Sequence, residues 1–325
     1  MKQSSLILIA SAFAVCVESI NTRPIIGILS MPSAYSAHPK SSAFPASYVK
    51  FLESGGSRVV PIPYDLAPDA LTELLSHING ALFTGGAAPF WDKNNNPSQY
   101  ALTAQAIFNN AVTAAENGES WPLWGTCLGH ELISIIAAGL DYNTSPLSSG
   151  FDAENLTVPV GFTSAAAGSR LWGANDAASP RATFATGSAY NAHTMGVTPA
   201  DFTAASTLDA RFEILGTSFD RGGKEFVATM EGKTLPIFTT QWHPEKVAFE
   251  WNAPMSNDIP HSFEALLANF WPAAFFANQA RANNRTFSDP TAENDALIYN
   301  YVPDFAPSDG TSQMFEQIYF FPLSA

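Results

Sequence analysis

The sequence predicts an α/β fold: a three-layer αβα sandwich with a mostly parallel central sheet and a small antiparallel extension. Three observations predict it. Short continuous apolar runs alternate with segments of helical period through the first 140 or so residues, the rhythm of a parallel sheet covered on both faces. A meander of apolar runs separated by tight turns lies between 212 and 241. The 325 residues, 46% hydrophobic and 12% aromatic, suffice for one large α/β domain.

Taken in order, Pro24–Leu29 is a continuous apolar run and reads as a first buried strand. Ser47–Ser54 has helical spacing and stops at Gly55-Gly56, a C-cap signal. Arg58–Ile62 is the second strand, Leu71–His77 a short helix, and Gly80–Thr84 a third strand ended by Gly85-Gly86. Tyr100–Glu116 sets Ala104, Ile107, Phe108, Ala111 and Ala115 on one face, the mark of a long helix. An apolar stretch bounded by Pro122 gives the next strand, and Glu131–Ala138 the helix after it. From 141 to 205 Ser, Thr, Ala and Gly dominate, which predicts an irregular surface excursion with a few short strands. Phe212–Leu215, Glu225–Glu231 and Leu235–Gln241 then form the antiparallel meander, turning at Gly232-Lys233. Ser262–Arg281 is a final amphipathic helix that Pro272 should kink or divide. The tail beyond Thr286 carries Leu297, Ile298, Phe315, Ile318 and Phe321, too much apolar mass to stay unpacked.

A net charge of −14 with only 15 Lys and Arg argues against an electrostatic nucleic-acid footprint. The N-terminus points to a compartment. A basic start, the apolar run Leu6–Val17 and small residues after it read as a secretory signal peptide ending near residue 20. The run falls short of the roughly 20 apolar residues that a membrane anchor needs. Residues 21–325 then form a single domain. Cys16 leaves with the leader, so the mature chain holds one cysteine and no internal disulfide. Sequons at Asn143, Asn155 and Asn284 fit a eukaryotic secretory route, ending outside the cell or in a lysosome or vacuole. No metal or cofactor is expected, because no ligand cluster has the spacing and no phosphate loop is present.

The remaining cysteine, Cys127, lies in Trp124-Gly125-Thr126-Cys127-Leu128-Gly129-His130-Glu131, between a strand and a helix. A lone cysteine is more often a small buried hydrophobe. Flanking glycines change that reading, because Gly-x-Cys-x-Gly resembles the strained elbow that presents a nucleophile. A helix N-terminus also favours a thiolate. The base follows the meander, in Gln241-Trp242-His243-Pro244-Glu245. His243 has the position of a general base that holds Cys127 as thiolate and then protonates a leaving amine, with Glu245 orienting its ring. Backbone N–H groups of Gly86 and Leu128 are candidates for an oxyanion hole. His130 is expected to point away from Cys127, and Lys50 and Arg58 to be solvated termini.

The Cys127 and His243 motifs resemble the class I glutamine amidotransferase superfamily, and more narrowly the γ-glutamyl hydrolases. The resemblance runs through Pro24–Leu29, Ser47–Glu53, Val59–Pro61, Phe83–Gly86, Pro122–Gly129, Thr229–Gly232, Gln241–Lys246, Phe275–Asn278 and Ala296–Tyr299. It implies a flavodoxin-like sandwich and a single catalytic domain, 21–325. It also implies Cys127 as nucleophile, His243 as base and acid, and Glu245 as the orienting partner. His193 would contact the bound glutamate, and Glu131 stands where the amidotransferases have a glutamine near the substrate. The implied substrates are folate polyglutamates, cleaved through a thioester, and a homodimer is the implied assembly. Two alternatives stay open: a hydrolase of other γ-glutamyl amides, or an inactive descendant that binds a ligand.

Overall fold

The computed structural model describes residues 20–35, 38–251, 257–305 and 315–324. The signal-peptide reading therefore lies, but for residue 20, outside the described residues. In chain order the strands are β1 (Ile25–Leu29), β2 (Met31–Pro32), β3 (Ser41–Pro45), β4 (Arg58–Ile62), β5 (Ala81–Phe83), β6 (Leu123–Thr126) and β7 (Ser148–Val158). They continue with β8 (Gly161–Phe162), β9 (Ala189–Gly196), β10 (Phe212–Phe219), β11 (Glu225–Gly232), β12 (Ile237–Thr240), β13 (Asp304–Phe305) and β14 (Gln317–Pro322). The α-helices are α1 (Ala46–Ser54), α2 (Pro68–His77), α3 (Gln99–Glu116), α4 (Leu128–Ala137) and α5 (Ala178–Gly187). After them come α6 (Pro199–Ala204), α7 (Ser206–Arg211), α8 (Lys246–Phe249), α9 (Phe263–Ala280) and α10 (Pro290–Ala296).

The strands β4, β1, β5, β6 and β12 run parallel, and β11, β10 and β8 extend the sheet antiparallel. Alternation along β1 shows the layering. Ile26 and Ile28 join Tyr48 and Phe51 of α1 and Phe276 of α9 in one buried cluster. Ile25 and Leu29 join Leu75 of α2, Phe108 of α3 and Ile133 of α4 in another. Successive strand side chains face opposite ways, so a run apolar throughout can form only between two helical layers. The long helices begin where a hydroxyl accepts a free N–H: Ser98 from Ala101 (3.2 Å) and Ser262 from Ala265 (3.2 Å).

Three expectations are corrected. The stretch 141–205 is ordered, with β7 and β9 forming a two-stranded antiparallel sheet and α5 between them. Its exposed faces explain the weak apolar signal: β7 buries Phe151 and Ala153 alone. The helix at Glu131 begins earlier, at Leu128, so Cys127 is itself the N-cap. Pro272 does not divide α9, which is continuous through it. The tail does pack, since β14 adds to β3 in a second sheet of order β13-β14-β3-β2 and buries Ile318 and Phe321.

Candidate active site

Cys127 ends β6 and opens α4 with φ at +51°, a left-handed conformation rare outside glycine. The Cys127 N–H donates to the Thr240 carbonyl at the end of β12 (2.9 Å), which ties the turn to the neighbouring strand. The flanking glycines are steric necessities. A Cβ on Gly125 would sit 2.6 Å from the Gly129 oxygen, and one on Gly129 would collide with the Phe83 carbonyl. The elbow can therefore press against β5 only with glycine on either side of the sulfur.

The β12 strand delivers His243 to the same place. Its N–H donates to the Tyr190 carbonyl of β9 (2.8 Å), and its Nδ1 lies 2.7 Å from Glu245 Oε1. Nδ1–H donating to the carboxylate leaves Nε2 as the basic nitrogen, and Nε2 has no other hydrogen-bond partner. Gly85 marks where the groups converge. A Cβ there would lie 2.5 Å from His243 Cε1, 2.7 Å from the Tyr48 hydroxyl and 3.2 Å from Cys127 Cβ. Gly86, with φ at +153°, packs against Met31 instead, beside Leu128. The Leu128 N–H hydrogen-bonds toward the sulfur.

His193 lies on β9, buried rather than in a surface loop. Its Nδ1 donates to the Met195 carbonyl (2.7 Å), its ring packs edge-on to Phe226, and its Nε2 is unpaired. Next to it in the chain, the Ala192 carbonyl lies 3.9 Å from Cys127 Sγ, so β9 covers the sulfur. Glu131 is buried on the first turn of α4 and accepts from Gln241 Nε2 (3.2 Å). His130 is fully buried with Nδ1 2.7 Å from Thr239 Oγ1, and no bond joins it to Cys127. Arg58 is no solvated terminus, since it pairs with Glu293. His38, His77 and His261 bond Asp304, the Thr286 carbonyl and the Val247 carbonyl.

Burial dominates the electrostatics. It pushes the Cys127 thiol well up, with Glu131 and Glu245 adding to the rise, while the Leu128 N–H and Lys246 pull it down. Burial holds His243 below the ordinary imidazole range, against the upward pull of Glu245. Both shifts are set chiefly by burial, which opposes charge on the thiol and on the imidazole alike. Burial also raises Glu131 to about 7 and lowers His193 to about 4.

Sequence reasoning passed over three contributors. Tyr48 of α1 accepts the Gly85 N–H (2.7 Å), lies 3.4 Å from His243 Nδ1 and hydrogen-bonds toward Glu245. Lys246 is wholly buried beside Glu245. Gln241 holds Glu131. The signal was available for Tyr48 and Lys246, because a polar tip on a buried helix face and a lysine adjoining an apolar strand both need partners. Among the described residues, no group of three His, Cys, Asp or Glu could hold a metal ion.

A family model described as peptidase C26 matches residues 24–245. The chain is 36% identical to γ-glutamyl hydrolase B of Dictyostelium discoideum, across 95% of this chain and 86% of that one. It is 34% identical to the γ-glutamyl hydrolase of Homo sapiens, across 92% and 90%, and 35% identical to γ-glutamyl hydrolase 1 of Arabidopsis thaliana, across 93% and 84%.

Proposed function

The chain belongs to the peptidase C26 family, and from that membership together with the site we infer a cysteine hydrolase that cleaves γ-glutamyl peptide bonds. One observation carries the reading: a nucleophile on a strained elbow and a carboxylate-oriented imidazole meet around Gly85, where a side chain could not fit.

The substrates are folylpoly-γ-glutamates. Cys127 Sγ attacks the γ-amide carbonyl as its proton passes to His243 Nε2, so ionisation accompanies attack. The oxyanion is received by the N–H groups of Leu128 and Gly86. Collapse expels the amine, which takes the proton from His243 and leaves a γ-glutamyl thioester. Water then gives its proton to His243, attacks the thioester and frees the carboxylate and the thiol. His193, beside Ala192 on β9, contacts the glutamate, and Glu131, held by Gln241, lies near the bound substrate.

The leader-like first 20 residues support a secretory route. Asn143 and Asn284 are exposed, whereas the Asn155 amide is tied to Asn257, so the first two are the accessible sequons. Replacement of Cys127 by Ala tests the activity. Turnover of a folate pentaglutamate should vanish while circular dichroism is unchanged. Appreciable hydrolysis by that variant would contradict the assignment, and wild-type turnover of other γ-glutamyl amides alone would move the substrate class.

A further inference from the structure

Beyond the nucleophile and its base, the site contains a buried charge that the mechanism leaves unused. Lys246 opens α8 directly after Glu245 and is fully buried, which is rare for a lysine unless it is paired. Glu250 follows one turn later, also buried, and its N–H bonds the Lys246 carbonyl (2.9 Å). The far end of the chain closes over both. The Phe315 ring lies 3.9 Å from the Lys246 ammonium, and the Glu316 N–H donates to Glu250 Oε2 (2.6 Å). Those two residues lead into β14, which pairs with β3, and β3 runs into α1 with its site residue Tyr48.

We propose that Lys246 is a positioning residue: an ammonium locked between Glu245 and Glu250 by the C-terminal tail, which supports the carboxylate behind His243 and stabilises Cys127 as it becomes a thiolate. The inference rests on the hydrolase reading for its purpose, though not for its test. Burial lowers the Lys246 pKa, and the charges of Glu245, Glu250 and Cys127 act against that fall. A substrate-binding role suits it poorly, because no part of it reaches solvent and the Phe315 ring lies over its ammonium. The other groups facing the sulfur are Glu131 on α4, Tyr48 on α1, and Glu245 and His243 after β12, with His193 on β9 facing His243. Of these groups, Lys246 alone bears an amine, whose charged form burial opposes and the neighbouring carboxylates favour.

The rate of iodoacetamide alkylation of Cys127 against pH tests this without any γ-glutamyl substrate, and so apart from the question of what the enzyme cleaves. Cys127 is the only cysteine among the described residues, and peptide mapping reads its labelling apart from that of Cys16. Lys246→Met, which keeps the length of the side chain, should move the alkylation midpoint upward by about one pH unit, about tenfold slower at a fixed pH below it. Glu250→Gln removes the opposing charge and should move it downward. Opposite shifts support the proposal. No shift, or shifts of the same sign, overturn it, since a purely structural role has no reason to reverse with the sign of the deleted charge. Should Lys246→Met fail to fold, Glu250→Gln decides alone: a downward shift supports the proposal and an unmoved midpoint overturns it.

Discussion

Cys127 holds its φ at +51°, a conformation that costs a residue with a Cβ about 1–3 kcal/mol. That strain lifts the sulfur off the strand, and it should be measurable. Cys127→Gly should unfold at a higher urea concentration than Cys127→Ala, with a difference of about 1 kcal/mol. An alanine variant as stable as the glycine one would remove strain from the account. Glu131 gives a pH signature. Its carboxyl titrates near 4.5 when unfolded and near 7 when folded, so the native state holds an extra proton between those values. By linkage its contribution to stability is full below pH 4.5 and is lost as pH rises to 7. Glu131→Gln should therefore raise Tm by several degrees at pH 8 and leave it nearly unchanged at pH 4. Equal gains at both pH values would show that charge burial is not the cause.

At the level of elements, the site exists because two neighbouring strands end together. β6 ends in the elbow and β12 in the base, and they pair in parallel from Ile237 beside Leu123 to Thr240 beside Thr126. Active groups gather at the carboxyl ends of such strands because the connections leave the sheet there. The elbow's contact with β5 sets its tolerance. Gly129→Ala would drive a methyl group into the Phe83 carbonyl, which is backbone and cannot rotate away. The variant should lose about 3 kcal/mol or more, read as a lowered urea midpoint, and most of its activity. A variant of wild-type stability would mean that β5 and α4 are not in such close contact.

Across the whole molecule, the chain's two ends and its middle enclose one site. α1 brings Tyr48, β9 covers the sulfur, and the tail returns from residue 315 to seal Lys246 and Glu250. Phe321 anchors that return, fully packed against Phe44 at 4.8 Å between ring centres. Phe321→Ala should cost about 3 kcal/mol by the cavity it leaves, measured in urea, and should lower turnover as well. Unchanged turnover in a destabilised variant would separate the tail from the site.

Most of the layered core was legible along the chain, because a buried parallel strand and a helix with one apolar face each leave a local pattern. The elbow glycines around Cys127 and the His243-Pro244-Glu245 run were legible for the same reason: their geometry is set within a few residues. The β7–β9 pair was not, since β7 buries only Phe151 and Ala153 and gains its order from a partner some forty residues away. Nor were the roles of Tyr48, Lys246 and the tail, which arise from contacts between residues far apart in the chain, 195 positions for Tyr48 and His243 and more for the tail and β3. The protonation state of Cys127 belongs with them. The sequence by itself determined the Cys127 elbow, the His243-Pro244-Glu245 run proposed as its base, and the sheet that carries them. Only the tertiary structure decided how deeply they are buried, and burial is what opposes charge on both groups.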